Sequence, residues 1–184
     1  MTRALAELTG GDESAAARLM DLVYDELRAL AGSYFADQPA AHTLQPTALV
    51  HEAFVKVTER TGLHFNDRAH FFAICAVAMR GILADYARRR RAAKRGGDWE
   101  RVRLESVGTP AGTPDVDALA LDEALDELAT RSERQARIVE YRFFGGMTEA
   151  QIARVLGISR STVQEDWRMA RAWLLVQMQR ARAS

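Results

Sequence analysis

Residues Thr148–Arg171 read TEAQIARVLGISRSTVQEDWRMAR, and the spacing within this stretch is that of a helix-turn-helix. Ile152, Val155 and Leu156 give a first helix one apolar face, and Ala153 is small where two helices must approach closely. Thr148 and Gln151, three residues apart, form a capping box that marks its start. Gly157 permits the left-handed backbone that ends a helix, and Ile158 is the apolar anchor under the turn. Ser159 is an N-cap for a second helix whose buried side comprises Val163, Trp167, Ala170 and Leu174. Arg160, Ser161, Thr162, Gln164, Glu165, Arg168 and Arg171 remain to face outward. They mix phosphate-binding groups with groups that hydrogen-bond base edges, which suits a DNA major groove. A plain helical hairpin shares the apolar spacing, so the polar face carries the nucleic-acid reading.

The rest of the chain bounds what kind of protein holds this motif. With 184 residues, 48% of them hydrophobic, it has material for a substantial core in one domain or two small ones. No apolar run has the ~20 residues of a membrane helix, and residues Met1–Gly10 lack a signal peptide's basic start and apolar centre. A cytoplasmic protein without membrane insertion is therefore expected. Cys75 is the only cysteine; its neighbours in HFFAICAVAM mark it as a small buried hydrophobe and not a redox group. The formal net charge of zero conceals segregation. Arg88–Arg103 holds eight Arg or Lys and two acids, whereas Leu104–Thr130 holds seven acids and no Arg or Lys. A basic arm thus precedes an acidic stretch.

Apolar residues fall at helical spacing almost throughout and strand signals are scarce, so the expected fold class is all-α. Leu19, Leu22, Val23, Leu27, Leu30 and Tyr34 mark a first long helix. A connection over Gln38–Leu44 precedes a second helix that begins at Pro46 and Thr47, with Val50, Ala53, Phe54 and Val57 as its stripe. Thr61–Arg68 reads as a loop, and Phe72, Cys75, Ala78, Met79, Ile82, Leu83 and Tyr86 define a third helix running into Arg88, Arg89, Arg90 and Arg91. Gly96–Asp117 is rich in glycine and proline and reads as a flexible linker. Beyond it come a helix with Leu121, Leu125 and Leu128, another with Ile138, Val139 and Phe143, and the helix-turn-helix. The expected domains are 1–95 and 118–184, joined by 96–117.

Enzyme chemistry finds no foothold. In HEAFV, a zinc protease needs a second histidine one turn after His51, and that position is Val55. His42, His51, His64 and His70 are scattered, so no metal site is expected. The chain also lacks a Walker-type glycine loop and a nucleophile elbow. No catalytic residue, metal or cofactor is expected. The tetra-arginine run is a solvated face or a phosphate-binding surface; a DNA-binding candidate in the same chain favours the second. Phe71 and Phe72 sit at helical spacing and read as core.

LQPTALVHEAFVKV, then RAHFFAICAVAMRGILADYARRRR, a linker and a C-terminal helix-turn-helix together resemble bacterial RNA polymerase sigma factors of the extracytoplasmic-function (ECF) type. The resemblance runs from about Ala15 to Met178 and is nearest the ECF-like branch carrying such strings. It implies that residues 1–95 are sigma region 2, which docks on the polymerase clamp and melts the −10 element, and that residues 118–184 are region 4, which reads the −35 element. Leu49, His51, Glu52, Phe54, Val55 and Lys56 would form the polymerase-docking helix. Many members have an acid where Ala48 stands and Gln where His51 stands. Phe65, Asn66, Asp67 and Arg68 would help hold a flipped base. The helix from Arg80 to Arg91, with Arg88, Arg89 and Arg90, would meet the −10 strand, repaying lost stacking with cationic contacts. The recognition helix from Arg160 would read duplex.

The resemblance implies core RNA polymerase and promoter DNA as partners, with an anti-sigma protein or kinase-linked regulator as a further one, and a stress- or signal-dependent promoter as target. A stand-alone helix-turn-helix regulator is the rival; it would bind duplex tightly without polymerase, usually as a dimer. The acids Asp115, Asp117, Asp122 and Glu123 read as a solvated linker and helix N-terminus. A separate hypothesis is that contact between the acidic segment and the arginine run holds the free protein closed, with salt-dependent dimensions.

Overall fold

In the computed structural model, which describes residues 7, 13–34, 44–59, 65–93, 101–103 and 115–183, the first three helices are α1 (Glu13–Tyr34), α2 (Pro46–Thr58) and α3 (Arg68–Ala93). Helix α1 buries Ala15, Leu19, Val23, Leu27, Ala31 and Tyr34 at three- and four-residue steps. Leu22, expected on that stripe, is exposed, because it lies one position off the buried row. Helix α2 starts at Pro46, where an amide N–H would have no intrahelical partner anyway. Its buried face is Leu49, Val50, Ala53, Phe54 and Val57.

Helix α3 begins where Asp67 accepts a hydrogen bond from the His70 backbone N–H at 2.9 Å, an N-cap read only as loop in the sequence. Phe71, Phe72, Cys75, Met79, Ile82 and Leu83 are buried along it. Each large apolar side chain so buried stabilises the fold by about 1.5–3 kcal/mol. Burial also pushes the Cys75 thiol well above its ordinary pKa. Over Arg68–Arg89 this helix is long and apolar enough to cross a membrane by length and composition, although the sequence shows no uninterrupted apolar run of that length. Its large apolar side chains are spent on the protein core.

The connections expected over Gln38–Leu44 and Thr61–Arg68 lie mostly outside the described residues. Within the expected linker the structure contains a two-stranded antiparallel ribbon, β1 (Arg101–Arg103) and β2 (Asp115–Asp117). The register sets Arg101 opposite Asp117, Val102 opposite Val116 and Arg103 opposite Asp115. Strands of three residues are too short to show a period in sequence, which is why this pairing was not expected. It aligns positions of the basic arm with positions of the acidic stretch.

Four helices follow: α4 (Ala118–Arg131), α5 (Glu133–Phe143), α6 (Glu149–Leu156) and α7 (Arg160–Ala183). Leu121, Leu125, Leu128, Ile138, Val139, Phe143, Ile152, Val163, Ala170 and Leu174 are buried among them. The two helical units do not stand apart: α3 packs on α4, α5 and α6, and one hydrophobic cluster runs through both. At the junction the buried Tyr34 hydroxyl donates to the Phe144 carbonyl at 2.6 Å, with its ring against Phe143 and Phe144. Gly146 adopts φ +58° beside Leu30, where an added Cβ would come within 3.1 Å of a Leu30 methyl. A side chain there would be strained and crowded at once. The fold is all-α, with the short ribbon as an addition.

Candidate nucleic-acid interface

The helix-turn-helix is built from local signals, and each one forms. Thr148 accepts from the Gln151 backbone N–H at 3.3 Å, while the Gln151 side chain accepts from the Thr148 N–H at 2.8 Å. This is the reciprocal capping box. Gly157 is left-handed at φ 65°, and the Ile158 N–H reaches back to the Ala153 carbonyl at 3.0 Å, the bond of a Schellman-type ending. Ser159 then caps α7 by accepting from the Thr162 N–H at 3.1 Å.

Helix α7 presents Arg160, Ser161, Gln164, Glu165 and Arg168 to solvent, with Thr162 and Arg171 half-buried. Ser161 and Thr162 hydroxyls each lie 2.8 Å from the Ser159 hydroxyl. The Gln164 amide donates to Glu149 on α6 at 2.7 Å, which orients it. That bond comes first among the causes that hold the Glu149 carboxyl below its ordinary pKa; burial works against it, and Arg142 reinforces it. Arg142 lies 3.2 Å from Glu149 and stacks over the Trp167 ring at 4.7 Å, clamping α5, α6 and α7 together.

Asp166 was not singled out in the sequence, yet it is a buried acid on this helix. Arg134 donates to it at 2.6 Å and Gln135 at 3.0 Å, tying α7 to the start of α5. Burial raises its pKa, and the hydrogen bonds from Arg134 and Gln135 outweigh that effect, leaving it lowered. Its place between Val163 and Ala170 on the apolar stripe was the available signal, since an acid there needs a partner.

The residues expected to meet the −10 strand are held differently. Asn66 is exposed and its backbone N–H donates to His70 Nδ1 at 3.3 Å. Asp67, besides capping α3, pairs with Arg154 of α6 at 3.2 Å. Arg68 pairs with Glu26 of α1 and lies over the Phe72 ring at 4.9 Å. Phe71 and Phe72 are both buried. Arg80 is only 11% exposed and lies in the junction between the units. Its Nε donates to Asp122 at 2.8 Å, one Nη to Glu140 at 2.6 Å, and the other to Asp126 and to the Asp122 carbonyl. Arg88 reaches Asp85 at 3.2 Å and Asp122 at 3.4 Å. Arg89 is exposed and bonds the Asp85 carbonyl. Arg90 and Arg91 belong to α3, their side chains lying outside the described residues.

The expected docking helix α2 divides in two. His51, Glu52, Val55 and Lys56 form an exposed face, with the His51 ring beside Tyr24 and Lys56 4.0 Å from Asp85. Leu49 and Phe54 lie on the opposite, buried face. Their place there follows from helical spacing, since both fall on the row that packs α2 onto α1 and α3. The structure therefore brings Arg160, Ser161, Gln164, Glu165 and Arg168 together on one solvent-facing surface, with Thr162 and Arg171 half-buried. It withdraws Leu49, Phe54 and Arg80 into packed interiors.

A family model described as ECF sigma factor matches residues 1–180, and no curated protein matches the chain. The chain belongs to the ECF sigma factor family.

Proposed function

We propose that this ECF sigma factor binds core RNA polymerase and directs promoter-specific initiation in the cytoplasm, in response to stress or another signal. Residues 1–95 act as region 2 and residues 118–184 as region 4, with 96–117 joining them. The observation that carries this reading is the α7 surface: a helix capped at Ser159, anchored through Asp166, and presenting Arg160, Ser161, Gln164, Glu165 and Arg168 together. Such a face sets phosphate contacts beside base-edge contacts in a major groove, as a −35 reader requires.

The outer face of α2, with His51, Glu52, Val55 and Lys56, supports docking on polymerase. An exposed valine beside two charges and an imidazole is a surface that gains by being covered. Arg68, Arg80, Arg88, Arg89, Arg90 and Arg91, together with Asn66 and Asp67, serve the melted −10 strand. An anti-sigma protein or a kinase-linked regulator controls access. No covalent step is involved, and no cofactor or metal is used.

The test is to mix the purified protein with core polymerase free of any sigma subunit and to transcribe a pool of genomic fragments. The expected result is a stable complex that starts discrete transcripts. Failure to associate, with tight duplex binding by the protein alone, would make it a stand-alone helix-turn-helix regulator.

A further inference from the structure

We propose that the junction between the two units is an autoinhibitory latch in which Asp122, Asp126 and Glu140 occupy the Arg80 and Arg88 side chains in place of the promoter strand. The Arg80 fork is matched on every side: Asp122 on Nε, Glu140 on one terminal nitrogen and Asp126 on the other. Arg88 shares Asp122 from the next turns of the same helix. Carboxylate oxygens here take the geometry that phosphate oxygens would take on the same guanidinium groups.

The latch is more than a charge cluster. Tyr34 donates across the junction to the Phe144 carbonyl, Gly146 fits against Leu30, and Asp67 pairs with Arg154. These contacts hold the turn before α6 against α1, and α6 itself against the loop before α3. The candidate −10 surface is thus partly covered, while the recognition face of α7 and the outer face of α2 are left open. Docking on polymerase can precede opening, and the single strand then displaces the carboxylates as it is melted. Salt alone weakens the outer pairs, in which Asp126 and Arg88 are exposed, more than the buried Arg80–Glu140 pair, which is weakly screened. Replacement by another polyanion is the effective route.

The competition for Arg80 and Arg88 rests on the reading of the chain as a sigma factor; the latch itself does not. The test uses the full chain with spin labels on A17C and A172C, two exposed alanines in the separate units. Cys75 is buried with its thiol pKa raised, so it stays unlabelled. The parent should give one short, narrow distance distribution, and D122N/D126N a longer and broader one. E123Q removes charge from the same helix at an exposed position outside the latch and should leave the distribution unchanged. Tyr34→Phe keeps the ring and removes only the hydroxyl, and should lengthen the distance to a smaller degree if the charge variant misfolds by circular dichroism. Unchanged distances in both folded variants, or a shift equal to that of E123Q, overturn the latch.

A second arm measures binding of a fluorescent single-stranded 20-mer of mixed sequence without polymerase. If the closed form holds about nine molecules in ten, opening tightens apparent binding about tenfold. Opening without tighter binding keeps the latch and overturns the assignment of Arg80 and Arg88 to the strand.

Discussion

Helix α7, the proposed recognition helix, and helix α3 are both long, both carry arginines, and differ in what those arginines are bonded to. On α7, the groups that touch other helices are Asp166, Trp167 and the apolar row, and the exposed arginines Arg160 and Arg168 stay outside the packing. On α3, Arg80 is drawn inward to three carboxylates of the other unit and Arg88 is half engaged. In the proposed function, scaffold and recognition fall to different residues in the first case and to the same residues in the second. A helix of the first kind is ready to bind as it stands. One of the second kind must first give up intramolecular bonds.

That contrast predicts unequal costs for removing charge. Glu140→Ala removes the most deeply buried of the three carboxylates around Arg80, leaves one guanidinium nitrogen buried and unmatched, and should destabilise the protein by about 3–5 kcal/mol, read from urea denaturation. The paired control on α7, Arg168→Ala, should change stability by less than about 0.5 kcal/mol while weakening −35 duplex binding by polymerase holoenzyme. Equal costs for the two would erase the distinction.

Asp166→Asn comes next, losing charge-assisted hydrogen bonds worth about 1.5–3 kcal/mol. The native carboxyl has a lowered pKa, so its contribution is fully present above the unfolded value of about 3.9 and is lost as pH falls below it toward the folded value. Thermal melts from neutral to acid pH should show the parent losing its advantage over the Asn variant across that window. A constant gap between the two curves would sever Asp166 from the acid response.

Gly157→Ala places a side chain at φ 65° and should cost about 1–2 kcal/mol. Thr148→Ala removes one half of the capping box and should cost about 1 kcal/mol. Both would be seen in melting temperature, with the junction contacts of α3 untouched. Coupled loss of those contacts by hydrogen exchange would show that the two surfaces are less separable than described.

What the sequence made legible was set by the range of the interaction. Thr148 with Gln151, Ser159 with Thr162, and Gly157 at the turn are decided within three or four residues, and the helix-turn-helix was readable for that reason. The apolar rows of α2 to α5 were readable from period alone. Arg80 finds its partners 42, 46 and 60 residues away, and Tyr34 finds Phe144 110 residues away. No local pattern encodes such pairings, so Arg80 was expected only at the −10 strand. The charge segregation raised a contact between the acidic stretch and the arginine run; within that run Arg88 lies 3.4 Å from Asp122, and which acid meets which arginine required the fold. Leu49 and Phe54 mark another boundary. Resemblance assigned a whole segment to docking, and helical geometry splits that segment into an outer and an inner face.

The most direct test is a footprint of the complex between this protein and core polymerase on a promoter recovered from the fragment pool, read with a nuclease and with permanganate. Protection of two spaced elements, with reactive unpaired thymines in the downstream one alone, is the predicted result. Arg160→Ala with Arg168→Ala should then weaken the upstream protection selectively. A single duplex footprint without reactive thymines would contradict the account.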